Sequence, residues 1–569
     1  MDAGSGTRAG EEPSWPGTEE ASPFTGKKKA GKAATTVVKR WGMVANAMVV
    51  AFIMALPPLT ILLSGRLGAP VVWIRSTAAG LGAARDREVA ESKKDVLLGG
   101  LLLPGFDEQS CASRYQSVYY RKNMTRPPSP YLIKRLREQE ALQRRCGPGT
   151  EPYRRATERL KSGQEVIDST DGCGYLVVIS YRGLGNRILA IVSGFLYALL
   201  TNRVLLVDSG KTLGDLFCEP FPGATWLLPP DFPLDGFRRL DGEAPESYGN
   251  VALNRSGSVS GLRFVYVHLD HAASAANRLV YCDDHRQFMH RVQWAIMRTD
   301  QYSVPGFFFN PAYQEELDRM FPRKDSVFFL LSRYLLHPKN DVWGMVTRFY
   351  NSYLRGADEK LGLQIRVFDG ATPFQHILDQ ILACTSQERL LPALVGAEGG
   401  GAAPPLPAAA GARSKAVLVT GLSPWYHDSI RETYWKSATV DGEVVSLHQP
   451  SHEGHQQWGH SEHDMKALAE MYLLSLTDKM VVSGWSTFGY VGTGLGGLTP
   501  YIMFKPVNRT VPNPPCKRAM SMEPCSHAPP YFECTRKEID VILDTGNILP
   551  HVGTCEDLPW GRKLREPVR

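Results

Sequence analysis

From Tyr175 the chain reads Tyr-Leu-Val-Val-Ile-Ser-Tyr-Arg-Gly-Leu-Gly-Asn-Arg187, continues through the apolar run Ile188–Leu200, and resumes with Val204-Leu-Leu-Val-Asp208. The order is strand, glycine turn, helix, strand. Leu176 to Ile179 is a short β-rich run, and the two glycines permit a tight turn with close backbone approach. The segment from Ile188 is long and unbroken enough to be a buried crossover helix. A helix that opens behind Gly-x-Gly directs free N–H groups and its positive dipole end at the loop, which suits an anion. Arg182, Asn186 and Arg187 add side-chain donors there. The dinucleotide fingerprint is incomplete, because Ile188 occupies the place of its third glycine, although Asp208 lies about 20 residues on, where a ribose-binding acid would sit. A purely structural βαβ turn is the other reading of the same residues.

The 569 residues leave room for more than one domain. Lys plus Arg number 64 against 58 Asp plus Glu, a net charge of +6 that is too small at this length to indicate nucleic acid. Trp41 to Leu63 is uncharged and matches the roughly 20 residues needed to cross a bilayer. Lys27, Lys28, Lys29, Lys32, Lys39 and Arg40 precede it and only Arg66 follows closely, so a type II orientation is expected. A cleaved signal peptide fits less well, since the run begins far from Met1. The ten cysteines all follow this span, and none forms a C-x-x-C pair, which favours disulfides over zinc. The sequons at Asn123, Asn254 and Asn508 are glycan acceptors compatible with a lumenal location.

Residues 1–40 are expected to be a disordered tail, 41–63 the transmembrane anchor and 64–100 a stem. An N-terminal α/β lobe then spans 101–345 and a C-terminal lobe with a cysteine-rich tail spans 346–569. Predicted strands are Val265–His268, Val327–Leu331, Gly362–Phe368, Ala416–Thr420, Val444–Ser446 and Met480–Ser483. Predicted helices are Phe374–Cys384, Ser429–Lys436 and Asp464–Thr477. Alternation of this kind implies parallel sheets covered by helices, here in two α/β lobes around a cleft. Gly396 to Ala412 is a Gly/Ala/Pro insertion between a helix and a strand.

Arg182-Gly-Leu-Gly-Asn-Arg187, Phe349-Tyr-Asn-Ser-Tyr353, Leu363-Gln-Ile-Arg-Val-Phe368, Ala467–Ser475, Ser486-Thr-Phe-Gly-Tyr-Val491 with Gly494-Leu-Gly-Gly497, and Cys516–Cys525 together resemble the plant fucosyltransferase family, glycosyltransferase family 37. The resemblance runs from about Asp107 to Leu564. It implies a GT-B-like fold of two Rossmann-like lobes with an interlobe cleft, preceded by the single transmembrane helix. It also implies GDP-fucose as donor, a galactosylated polysaccharide as acceptor, and inversion at the sugar carbon in the Golgi membrane. Xyloglucan leads as acceptor, with arabinogalactan side chains as the alternative; a non-catalytic donor-binding scaffold is the rival of another class. A homodimer or a complex with other glycosyltransferases is compatible with either. Two departures from the family pattern are Gly492-Thr493 in place of Ala-Gln and His463-Asp464 in place of His-Asn.

Fucosyl transfer builds negative charge on a departing diphosphate, so stabilising that charge is the main chemical task. Arg366 lies in an apolar β-like run, where a guanidinium needs either a structural carboxylate or a ligand beyond the sheet end. The resemblance favours the ligand and makes Arg366 the catalytic, donor-binding arginine. Gly185, Asn186, Arg187, Ser486, Thr487, Phe488, Gly489 and Tyr490 complete the expected donor site, with Phe488 or Tyr490 stacking on guanine. Asp300 is the expected acceptor-side base or orienting group. No D-x-D pair occurs, so neither a metal nor any other cofactor is expected. The histidines from His448 to His463 lie in a polar stretch without paired cysteines.

Overall fold

The computed structural model describes residues 95–567 apart from 122–125, 164–171, 209, 211, 254–261, 272, 283–288, 290, 369–372, 397–410, 458 and 531–548. The expected anchor 41–63, Asn123, Asn254 and nearly all of the Gly/Ala/Pro insertion lie outside the described residues. Everything described belongs to one compact unit, Ala90–Arg569.

Two sheets organise this unit. The first contains β1 (Gly174–Ser180), β2 (Arg203–Val207), β3 (Val265–His268) and β4 (Trp294–Thr299), all parallel, in the order β2-β1-β4-β3. The second contains β5 (Glu359–Gln364), β6 (Ser414–Thr420), β7 (Val444–His448), β8 (Lys479–Ser483), β9 (Tyr501–Met503) and β10 (Cys516–Arg518). Its order is β10-β9-β8-β5-β6-β7, and β10 alone runs antiparallel. Parallel strands must be covered on both faces, which explains why β2 is buried at every residue and β1 throughout its interior. The α/β architecture read from the sequence is therefore present.

The helices that matter for the site are α1 (Leu184–Thr201), α2 (Val327–Leu335), α3 (Ser461–Ser475) and α4 (Thr487–Gly496). α1 is apolar around its circumference because it is buried around its circumference. Its length and composition would let it cross a membrane, yet 89% of that window is buried inside the protein, so it is a core helix. Gly194 lets it approach β1 closely: a Cβ there would lie 2.4 Å from Val178 Cγ2.

Three expectations are corrected. Val327–Leu331, read as a strand, is the first half of α2, whose nine residues are all buried. A short, wholly apolar run carries no period that separates a buried strand from a buried helix. The strand expected across Gly362–Phe368 ends at Gln364, so Arg366 stands beyond the sheet rather than inside it. The fold also begins before Leu101, since Leu98 already packs in the core.

Disulfides join Cys111 to Cys218, Cys146 to Cys173, Cys384 to Cys516 and Cys525 to Cys555, and Cys282 is disulfide-bonded as well. The Cys525–Cys555 bond closes the tail, in which β11 (Val552–Thr554) pairs antiparallel with β12 (Arg562–Leu564).

Two buried acids make stability depend on pH. Glu523 accepts from the Tyr302 hydroxyl at 2.6 Å and the Phe328 N–H at 2.9 Å, and Glu470 accepts from the Ser451 hydroxyl at 2.6 Å. Burial pushes both carboxyls from the ordinary value of 4.5 up to about 8. Between those values the folded chain holds protons that the unfolded chain has released. Their contribution is thus full below 4.5 and is lost as the pH rises through 8. Scanning calorimetry across this window should show Tm falling with pH, and Glu523→Gln and Glu470→Gln should each flatten the slope. An unchanged slope in both variants would exclude this origin.

Candidate active site

The site is assembled where strands of both sheets end. Tyr181, Arg182 and Gly183 follow β1, Asp300 follows β4, Ile365 and Arg366 follow β5, and Gly484, Trp485 and Ser486 follow β8. In open parallel sheets ligands bind beyond the carboxyl ends, at the point where strand order reverses. β5 lies between β6 and β8, so the chain leaves it toward β6 and β7 and later returns on its other side as β8 and β9. Arg366 and Gly484 stand at that switch point.

The Gly-Leu-Gly-Asn turn joins the two sheets' helices. A Cβ on Gly185 would lie 2.7 Å from Thr487 Oγ1, 2.8 Å from Thr487 C and 2.9 Å from Phe488 N, so the opening turns of α1 and α4 touch backbone to backbone. Asn186 ties this junction to β4. Its Oδ1 accepts from the Thr487 hydroxyl at 3.0 Å and its Nδ2 donates to the Asp300 carbonyl at 2.7 Å. Ser486 precedes α4 as its N-cap residue and is buried, while Gly489 lies in the first turn of the helix against Val482. Phe488 is half-buried.

Arg366 is half-buried, and burial holds its guanidinium below its ordinary value. Its backbone N–H donates to the Ser483 hydroxyl at 2.9 Å, and its Nη2 reaches Gln456 Oε1 at 3.4 Å. The guanidinium also lies over the Phe368 ring, 5.4 Å from the centroid. Among the described residues no carboxylate pairs with it. A partly desolvated cation with no counter-ion among the described residues favours an anionic ligand. The surrounding pocket is walled by Phe368, Phe374, His376, Gly484, Phe504 and Lys505. Aromatic rings beside two cations suit the base and phosphates of a nucleotide.

Asp300 is buried and already engaged. Its Oδ2 accepts from Arg182 Nε at 2.7 Å and lies 2.9 Å from His271 Nδ1, and its Oδ1 accepts from the His271 backbone N–H at 3.3 Å. Arg182, at φ +66°, also brings its Nη2 to 3.1 Å from His271 Nε2. Nearby, the Tyr181 hydroxyl donates to Asp270 at 2.5 Å. Burial, then the charges of Asp300 and Asp270, push that hydroxyl upward, so it remains a donor. His271 and Arg182 are the exposed members of this group, with Asp300 buried behind them.

Two expected donor ligands face elsewhere. Arg187 forms an ion pair with Asp464 on α3 at 2.5 Å and donates to Thr212 at 2.8 Å, so its charge is matched within the protein. Tyr490 is 3% exposed and donates its hydroxyl to Asp557, which leaves no ring face for a base. Both depart from expectation for one reason: their partners lie 277 and 67 residues away, where no local pattern announces them.

Gln456, Trp485 and Asp557 were not anticipated. Gln456 touches Arg366, and its Nε2 lies 3.0 Å from where a Cβ on Gly183 would stand, so its loop spans both sheets. Asp557 Oδ2 accepts from the Trp485 N–H at 2.7 Å and the Trp485 indole donates to the Asp557 carbonyl. The only available signal was the placement of Trp485 between a strand end and a glycine-containing helix start. Cys525, Cys555 and Asp557 also crowd within 4.8 Å, but the disulfide removes both thiolates as metal ligands. Asn508 is exposed, as a glycan acceptor requires.

A family model described as xyloglucan fucosyltransferase matches residues 76–535, with Asp300, Arg366 and Ser486 inside the match. The chain belongs to the xyloglucan fucosyltransferase family. A galactoside 2-alpha-L-fucosyltransferase of Pisum sativum is 51% identical over 488 residues, covering 85% of this chain and 84% of that protein. One of Arabidopsis thaliana is 51% identical over 482 residues, 84% of each chain. A solved structure of a variant of Arabidopsis thaliana FUT1 in complex with GDP superposes with a TM-score of 0.76 at 50% identity, covering 83% of this chain and 100% of that one. In this member of the fucosyltransferase family the tail that carries Asp557 and Trp560 lies beyond the family match.

Proposed function

We propose that the protein is a galactoside 2-alpha-L-fucosyltransferase, moving L-fucose from GDP-fucose to O2 of a terminal galactose on a cell-wall glycan, xyloglucan first among them. The observation that carries the reading is Arg366, a half-buried guanidinium at the switch point with no carboxylate partner among the described residues. The relatives' names and the GDP complex of FUT1 support it.

In the reaction the bond from fucose C1 to the diphosphate oxygen breaks, the bond from C1 to galactose O2 forms on the opposite face, and the O2 proton departs. Arg366, with its fork of N–H groups, neutralises the leaving diphosphate. Main-chain N–H groups at the start of α4 add to it, because that helix end carries positive dipole. Lys505 supplies a second positive charge on the same pocket. On the acceptor side Asp300 holds His271 and Arg182 in place, and His271 Nε2 takes the hydroxyl proton once the acceptor displaces Arg182 Nη2 from it, while Asp300 balances the charge. This arrangement needs no bound cation, in keeping with the missing D-x-D pair. A GT-B arrangement of the two sheets and a type II anchor in the Golgi membrane complete the proposal.

The test is transfer from GDP-fucose by the purified, detergent-solubilised protein with EDTA present, offered xyloglucan and arabinogalactan in parallel. Metal-independent transfer to a galactosylated acceptor is expected. GDP binding with no turnover on either glycan would replace the enzyme with a donor-binding scaffold.

A further inference from the structure

Trp560 stands out as a large exposed ring in a mostly buried tail. Its ring is 53% exposed, while Cys555, Leu558, Arg562 and Lys563 around it are 5%, 3%, 9% and 2% exposed. The mount is rigid: the Cys525–Cys555 bond closes the segment, Gly561 N–H donates to the Leu558 carbonyl at 2.9 Å, and Arg562 N–H donates to the Ser526 carbonyl at 3.0 Å. The exposed indole meets Trp485 at 6.2 Å between centroids, with the planes 62° apart.

Trp485 is held in an uncommon backbone state. Its φ is +59°, a conformation a bulky residue adopts only when its surroundings impose it, and such strain collects at functional sites. Asp557 imposes it by accepting from the Trp485 backbone N–H and indole N–H. Lys505 lies 5.6 Å over the same ring. Gly484 and Lys505 in turn wall the pocket of Arg366. The two tryptophans thus form a corner that shares a wall with the nucleotide pocket.

We propose that Trp485 and Trp560 are a glycan-binding shelf on which the sugars of the acceptor oligosaccharide stack while its galactose reaches the donor. The inference rests on the fucosyltransferase reading and adds a subsite to it. A pyranose presents a face of weakly positive C–H groups, which matches the negative face of an indole, and its hydroxyl rim matches Lys505 and the Trp560 N–H. A protein partner would need a far larger apolar patch than two rings, on the order of 800 Å² per side. A second anionic ligand would be met by Lys505 alone. A neutral, polyhydroxylated chain beside the nucleotide fits both the aromatic and the polar parts of the corner.

The experiment compares the full-length wild type with Trp560→Ala and Trp560→Phe, at saturating GDP-fucose, over a range of xyloglucan oligosaccharide. Trp560→Ala should raise the oligosaccharide KM about ten-fold, the loss of one aromatic stacking partner. Its kcat should stay within about two-fold and its GDP affinity, measured by calorimetry, should not change, since only uniform acceptor binding is removed. Trp560→Phe should recover most of the KM. An unchanged KM in Trp560→Ala, or a parallel loss of GDP affinity, would overturn the shelf. If the wild type transfers to no galactoside, the fucosyltransferase reading fails on its own. Quenching of tryptophan fluorescence by the oligosaccharide then decides the shelf: quenching that disappears in Trp560→Ala upholds it, and none in the wild type refutes it.

Discussion

Arg366→Lys is expected to lower kcat/KM for fucosyl transfer by about 10²- to 10³-fold, the range for removing one preorganised charge-stabilising group. The substitution keeps the positive charge but replaces a planar fork with a point charge that cannot bind two phosphate oxygens together. Folding should survive, because among the described residues the side chain contributes a long contact to Gln456 and a ring contact to Phe368, while the bond to Ser483 comes from the backbone. Lysine leaves a cation of similar reach at the same half-buried place, so Tm should stay close to that of the wild type. The checks are initial rates with varied GDP-fucose, GDP titration calorimetry and thermal unfolding. A loss confined to Tm, with normal turnover in the folded fraction, would make Arg366 structural.

This expectation depends on where Arg366 stands, and the sequence came close without reaching it. Gly362–Phe368 is β-rich throughout, so composition extends the strand past Gln364; hydrogen bonding to β6 and β8 ends it there, with Gln364 opposite Thr420 and Val482. β6 and β8 were legible because Ala416–Thr420 and Met480–Ser483 are apolar runs bounded by polar or glycine residues, whereas β9 and β10, three residues each, are too short to carry a pattern. α1 was legible from its length and its opening glycines. Val327–Leu331 was not, since it is buried on all sides and has neither alternation nor an amphipathic stripe.

The site divides in the same way. Gly185, Asn186, Ser486 and Thr487 were legible because a glycine turn before a helix is a local pattern, and the structure brings these four together. Arg187 and Tyr490 looked equivalent to them in sequence. What distinguishes them is a carboxylate, Asp464 for one and Asp557 for the other, contributed from a distant segment. The roles of Trp485 and Asp557 were hidden for the same reason, since a hydrogen bond across 72 residues leaves no trace in local composition. Distant pairing decides which of several chemically able side chains is left free for a ligand.

Gly185→Ala tests the junction itself. The added Cβ would meet Thr487 C at 2.8 Å and Phe488 N at 2.9 Å, and backbone atoms held in the first turn of α4 cannot rotate away as a side chain would. The two helix starts must separate by several tenths of an ångström, carrying Asn186 away from Thr487 and shifting the opening turn of α4. A loss of stability of about 1–3 kcal/mol is expected from the overpacking. Turnover should fall by as much as about 10²-fold, because catalytic groups displaced by a fraction of an ångström lose much of their effect. Gly356→Ala, where nothing lies within 4 Å, is the matched control and should behave as the wild type. Adding Thr487→Ala removes only the contact to Oγ1, so the double variant should remain impaired. Full rescue by that second change would show that the side chain, and not the helix-to-helix backbone contact, sets the spacing of the two sheets at the site.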